Sequence, residues 1–149
     1  MKPTLTMALL CALGCAPCQT FAAEKPETFA EMKLRAETTP PDECVRICAG
    51  VARRAIEEAK TEFSAGTDSA AKALLGEVKT YADKAADAAT HTRKHEKQLE
   101  IDLRDLSHRL EALKRELTPE NQPAVEEAMT HLEKLRTRLL DSMFGKGKK

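Results

Sequence analysis

Residues 69–117 read SAAKALLGEVKTYADKAADAATHTRKHEKQLEIDLRDLSHRLEALKREL. Within this stretch Leu75, Val78, Ala82, Ala85, Ala89, Thr92, Glu96, Leu99, Leu103, Leu106, Leu110, Leu113 and Leu117 fall at alternating spacings of three and four without a slip. That spacing lines one face of an α-helix, and sustained over about six repeats it is a heptad seam. Read as one helix, residues 69–117 span roughly 70–75 Å at 1.5 Å per residue. Glu100–Arg104, Asp105–Arg109 and Glu111–Arg115 support it as i,i+4 pairs in the favourable order, each worth a few tenths of a kcal/mol.

On the N-terminal side, Gly66 predicts a left-handed helix end, with Thr67 or Asp68 capping the next helix. Before it, residues 41–64 carry a second stripe: Val45, Cys48, Ala52, Ala55 and Ala59, flanked by Cys44, Val51, Ile56 and Phe63. Pro40 and Pro41 open this helix, where a missing N–H costs nothing, with Thr39 as its expected cap. On the other side, Thr118-Pro119-Glu120-Asn121-Gln122-Pro123 breaks the helical pattern. Residues 123–144 then restore it through Val125, Ala128, Leu132, Leu135, Leu139 and Met143.

The expected fold is therefore all-α. Short turns make each outer helix run antiparallel to the central one, giving elongated helical hairpins on its two halves. Equal rise places Cys44 beside residue 88 and Met143 near residue 97. The first half pairs Ala52, Ala55 and Ala59 with Ala82, Ala85 and Ala89; the second pairs leucine with leucine. Two helices alone leave each seam half open, which predicts a homo-oligomer or a partner helix; the alternative is a hook-shaped monomer with its arms folded together, in which Tyr81, Leu74 and Ile101 fill the remaining space. The expected interaction seam is Leu99, Leu103, Leu106, Leu110, Leu113, Leu132, Leu135 and Leu139.

Residues 1–22 read as an export signal. Met1-Lys2-Pro3 is a short basic start, Thr4–Ala16 an apolar stretch too short to span a bilayer, and Thr20 and Ala22 the small residues before a cleavage site. This predicts an exported chain, periplasmic or extracellular, with no transmembrane span after signal removal. The alternative address is lipidation at Cys15, following Gly14, which would anchor the chain to the membrane. Cleavage after Ala22 removes Cys11, Cys15 and Cys18 and leaves the pair Cys44 and Cys48 in an oxidising compartment. Residues 23–40 read as a flexible tether, with a short helix near Glu27–Ala36 as an option. Residues 145–149 form a solubilising basic tail, whose Lys146, Lys148 and Lys149 could assist contact with anionic lipid.

Composition narrows the function class. The 24 basic and 24 acidic residues cancel, and one Tyr, four Phe and no Trp supply no base-stacking platform, which argues against nucleic acid. The chain carries no Gly-rich phosphate loop, nucleophile elbow or zincin motif, so no enzyme is expected. Cys44 and Cys48 stand at i,i+4 on one helical face. A regular helix holds such Cβ atoms about 5–6 Å apart, against the ~3.5–4.5 Å of a disulfide. An intrahelical bridge therefore needs a frayed first turn; the alternatives are a bridge between chains, two free thiols, a metal site, or two small residues that merely fill the seam. His91 and His95 repeat the i,i+4 spacing near the level of Cys44, and Cys44, Cys48, His91 and His95 form a candidate Cys2His2 zinc site. His108 and His131 are expected to face solvent or to be partly covered, and Met129 and Met143 to be core filler.

Leu117-Thr118-Pro119-Glu120-Asn121-Gln122 loosely resembles the LTxxQ turn of the periplasmic helical hook proteins. The likeness covers six residues, with Gln122 one position late and a single copy of the motif. It implies envelope stress, chaperoning or metal response as functional themes. The residues thus support three readings: a non-enzymatic envelope scaffold binding through its apolar seams; a metal-binding or thiol-redox-responsive protein using Cys44, Cys48, His91 and His95; and a holdase-like chaperone with an exposed apolar face.

Overall fold

The computed structural model describes residues 27–145 and is all-helical there. The expected signal peptide, Cys15 and the lysines of the basic tail lie outside the described residues. The elements are α1 (Phe29–Thr38), α2 (Pro41–Ser64), α3 (Asp68–Thr92), α4 (Glu96–Glu116) and α5 (Gln122–Phe144). No helix among the described residues is long and apolar enough to cross a membrane.

The hairpin turns obey local chemistry. Pro41 opens α2, and Thr39 does not cap it: its hydroxyl donates back to the carbonyl of Arg35 at 2.6 Å, closing α1 instead. At the other end of α2, Gly66 adopts φ +78°. Gly66 N donates to Phe63 O at 3.1 Å and Thr67 N to Glu62 O at 2.9 Å, the two bonds of a Schellman ending. A side chain at Gly66 would be strained by that backbone conformation. The second turn is closed by Gln122 Nε2, which donates to Leu117 O at 3.1 Å. Asn121, buried at this turn, donates its amide to Asp68 Oδ2 at 2.8 Å and ties the two hairpins together.

The central helix expected over 69–117 is broken, which corrects the extended rod. Arg93 and His95 take left-handed backbone (φ 57° and 63°), and the chain reverses between α3 and α4. Cross-helix contacts give the direction of each element. Arg53 meets Asp105 (3.1 Å), Arg109 meets Glu57 (2.9 Å) and Lys60 meets Glu116 (2.8 Å), so α2 and α4 run side by side and parallel. Lys79 to Glu127 (2.6 Å) and His131 to Asp83 (2.9 Å) do the same for α3 and α5. The α2/α3 hairpin thus stacks on the α4/α5 hairpin as an up-down-up-down four-helix bundle.

Energetics explain the reversal. A non-Gly left-handed residue costs roughly 1–2 kcal/mol. Burying one leucine contributes about 1.5–3 kcal/mol. Stacking the hairpins leaves Leu99, Leu103, Leu106, Leu110, Leu113, Leu132, Leu135 and Leu139 at 0–3% exposure. Two strained residues are outweighed several-fold. The break falls where the seam is polar: the Glu96 carboxylate keeps one buried oxygen without a hydrogen bond, with Arg93 Nη1 3.9 Å away.

The two hairpins are packed differently. Ala52, Ala55, Ala59, Ala82, Ala85 and Ala89 are at most 1% exposed, and their small side chains let α2 and α3 approach closely over most of their length. The α4/α5 side is filled by leucine. The stretch expected to be a flexible tether carries α1, started by a capping box in which Thr28 N donates to Glu31 at 2.7 Å and Glu31 N to Thr28 Oγ1 at 3.3 Å. α1 packs on α2 through buried Ala36 and through Met32, which lies against Gly50; Lys33 reaches Glu77 of α3 at 2.7 Å.

Charge pairs set the register of the outer faces. Arg136 and Arg104 each bond Glu100 at 2.8 Å, and the Arg136 hydrogen bond above all holds the Glu100 carboxyl below its ordinary value. Burial pushes Asp105 up, but hydrogen bonds from Arg109 and Arg53 more than offset it, and the net shift is down. A depressed folded-state pKa stabilises the fold above the unfolded value and ceases to do so as pH falls through the folded one. The urea midpoint should therefore drop between neutral pH and pH ~2, and Arg136→Gln should shrink that drop. An unchanged drop in the variant would remove Glu100 from the explanation.

Candidate functional site: the Cys44–Cys48 thiol pair

Cys44 and Cys48 lie in the first two turns of α2, both as free thiols, with their Sγ atoms 3.1 Å apart. The contact is closer than the i,i+4 Cβ spacing alone requires, because both side chains turn toward each other along one helical face. The two sulfurs have different surroundings. Cys48 is fully buried, and burial, followed by the neighbouring Cys44 thiol, pushes its pKa up to about 12. Burial thus disfavours the Cys48 thiolate, the reactive form. Cys44 is half-buried and faces a pocket.

That pocket, about 390 Å3 in volume, lies at the end of the bundle where α1 stops, α2 starts and α3 stops. Glu37, Thr39 and Pro41 line it from the α1–α2 junction, and Lys84, Asp87 and His91 from α3. The antiparallel register read from the turn at Gly66 places Cys44 beside residue 88, and Ala88 shares the pocket wall with Cys44. Lys84 is steered by a cation–π contact, its Nζ 4.7 Å from the centre of the Tyr81 ring. Tyr81, 2% exposed, is itself pushed up in pKa by burial.

The structure brings Cys44, Cys48 and His91 to one end of the bundle. His95 stands at the same end, in the left-handed turn before α4 whose Lys94 reaches Asp42 at 2.7 Å, but it is exposed and is not part of the pocket wall. Among the described residues no group of three or more His, Cys, Asp or Glu stands together as a metal cluster. The leucine seam, Leu99 to Leu113 on α4 with Leu132 to Leu139 on α5, is buried within the chain. Its eight residues are core positions, occupied by the other hairpin of the same chain. Large exposed apolar side chains among the described residues are Leu34, Ile101 and Phe144, on three different helices rather than on one apolar face.

His131 is half-buried, within the expected range, and its Nε2 pairs with Asp83 Oδ1 at 2.9 Å across the α3/α5 groove. Nothing in the sequence pattern marks this pair, because the adjacency of α3 and α5 exists only once the chain reverses at Arg93–His95. His108 is exposed, and Met129 and Met143 pack partly buried against the core, as expected of filler.

Comparisons with protein-family models, with curated proteins and with solved structures give no match.

Proposed function

We propose that the chain is an exported, non-enzymatic helical bundle whose activity is thiol chemistry at Cys44, with Cys48 as its buried neighbour. The observation that carries this reading is the asymmetric pair itself: two reduced sulfurs 3.1 Å apart, one fully buried and one facing a charged pocket. Seam-filling cysteines would both be expected to disappear into the core. Here one is withdrawn and the other presented. The leucines that would serve a partner-binding scaffold are already used in the chain's own core.

The reading predicts unequal thiols. Under native conditions an aromatic disulfide reagent should consume Cys44 at least about a hundredfold faster than Cys48, since only the accessible sulfur can be reached by the reagent. Peptide mapping after partial reaction should locate the label on Cys44, and Cys44→Ser should abolish the fast phase. Two thiols that react only when the chain is denatured would overturn the proposal.

A further inference from the structure

The Cys44 pocket has a lining that selects among thiol reagents. Lys84 and His91 offer cationic or donor groups, and Glu37 and Asp87 offer carboxylates, around one sulfur in a volume of about 390 Å3. None of these four residues forms an ion pair among the described residues. Lys84 is held at the pocket by the Tyr81 ring, not by a carboxylate. A pocket of that size lies at the small end of ligand sites and suits an amino-acid derivative. Unpaired charges of both signs suit a ligand carrying an ammonium and a carboxylate together.

We propose that this pocket is an S-thiolation site for a small zwitterionic disulfide of the cystine type. The proposal rests on the thiol reading above and adds the ligand. Lys84 and His91 receive the carboxylate, and Asp87 and Glu37 the ammonium. The Cys44 thiolate attacks one sulfur of cystine. The S–S bond of cystine breaks, a Cys44–S–S–cysteine bond forms, and one cysteine leaves as a thiolate that takes up a proton. Cys44 is oxidised and the departing half of cystine is reduced.

The mixed disulfide persists for two reasons. Its resolution needs Cys48 as a thiolate, and Cys48 is fully buried, which disfavours that form. A Cys44–Cys48 bridge also needs Cβ atoms drawn in from the ~5–6 Å of a regular helix to ~3.5–4.5 Å. Drawing them in distorts the first turn of α2, which Cys44 N to Pro40 O at 3.0 Å helps to close.

The test tracks intact mass and peptide maps of the reduced, folded chain exposed separately to cystine, cystamine (ammonium only) and dithiodipropionate (carboxylate only). Each rate is divided by the rate for the same reagent on the urea-unfolded chain. Cystine should then modify Cys44 about tenfold faster than either analogue, the worth of one charged contact. Lys84→Gln should bring cystine down to the cystamine level, and Asp87→Asn down to the dithiodipropionate level. Equal normalised rates for the three reagents would overturn the zwitterion site and leave the thiol reading standing. An internal Cys44–Cys48 disulfide as end product would overturn stable capture, again sparing the thiol reading. No modification of Cys44 by any reagent would end both.

Discussion

Leu103→Asp is expected to unfold the protein. Leu103 is fully buried between the two hairpins, in register with Leu99, Leu106 and Leu110. Leucine-to-alanine changes at such sites cost about 2.7–5.0 kcal/mol. An unpaired carboxylate adds its desolvation, several kcal/mol more in practice. A bundle of this size has roughly 5–15 kcal/mol in total. The helical circular-dichroism signal should therefore collapse at room temperature. Leu103→Ala, by comparison, should stay folded and lose about 3 kcal/mol in urea. An open seam predicts the reverse. There, aspartate would leave the fold and its melting temperature intact and only weaken association. A folded Leu103→Asp chain with an unshifted Tm would contradict the bundle.

The second large effect concerns the reversal at Arg93, Lys94 and His95. The seam spacing passes through these residues without a slip, so the same sequence pattern also fits a continuous helix. The leucine burial gained by reversal opposes that continuity and holds Arg93 and His95 left-handed. Replacing Arg93, Lys94 and His95 together by alanine raises the cost of that turn and strengthens the helix through it. The expected product is a dimer in which each chain opens into a rod and the hairpins exchange between copies, keeping every buried contact. Light scattering should show the mass double while helical content rises slightly. Arg93→Gly with His95→Gly should act oppositely, stabilising the closed chain by about 1 kcal/mol per site. A triple-alanine variant that keeps the mass of the parent would show that the turn is fixed by contacts other than backbone strain.

These two cases separate the structure that local pattern encodes from the structure that it does not. The bounds of α2 and α5, the Gly66 turn, the alanine and leucine hairpins and the level of Cys44 against residue 88 all come from periodicity and capping. Each depends on neighbours within a few turns. The reversal does not, because no proline or glycine marks it. Its signal is the polar pair Thr92 and Glu96, which fits a flaw in a rod as readily as a fold-back point. Everything that depends on the reversal is illegible for the same reason. That includes the parallel pairing of α2 with α4, the His131–Asp83 contact, and the burial of the seam residues within one chain. The start of α1 is visible as Thr28 followed by Glu31, but its short apolar content gives no reason to dock it. Around the thiols, the spacing places Cys44 near His91, whereas the inequality of the two sulfurs and the pocket charges require the α1–α2 junction to be in place.

The reversal is tested most directly by one distance. Lys72 lies near the start of α3 and Arg115 near the end of α4, both exposed, and Asp68 and Asn121 close that end of the bundle. Spin labels at positions 72 and 115, in a background with Cys11, Cys15, Cys18 and Cys44 replaced by serine and Cys48 by alanine, report their separation by pulsed electron resonance. The bundle predicts a distance on the order of 20 Å, set by helix spacings of 8–10 Å and the label arms. A continuous helix from 69 to 117 predicts about 65 Å at 1.5 Å per residue, and a narrow distribution near that value in a monomeric chain would contradict the fold.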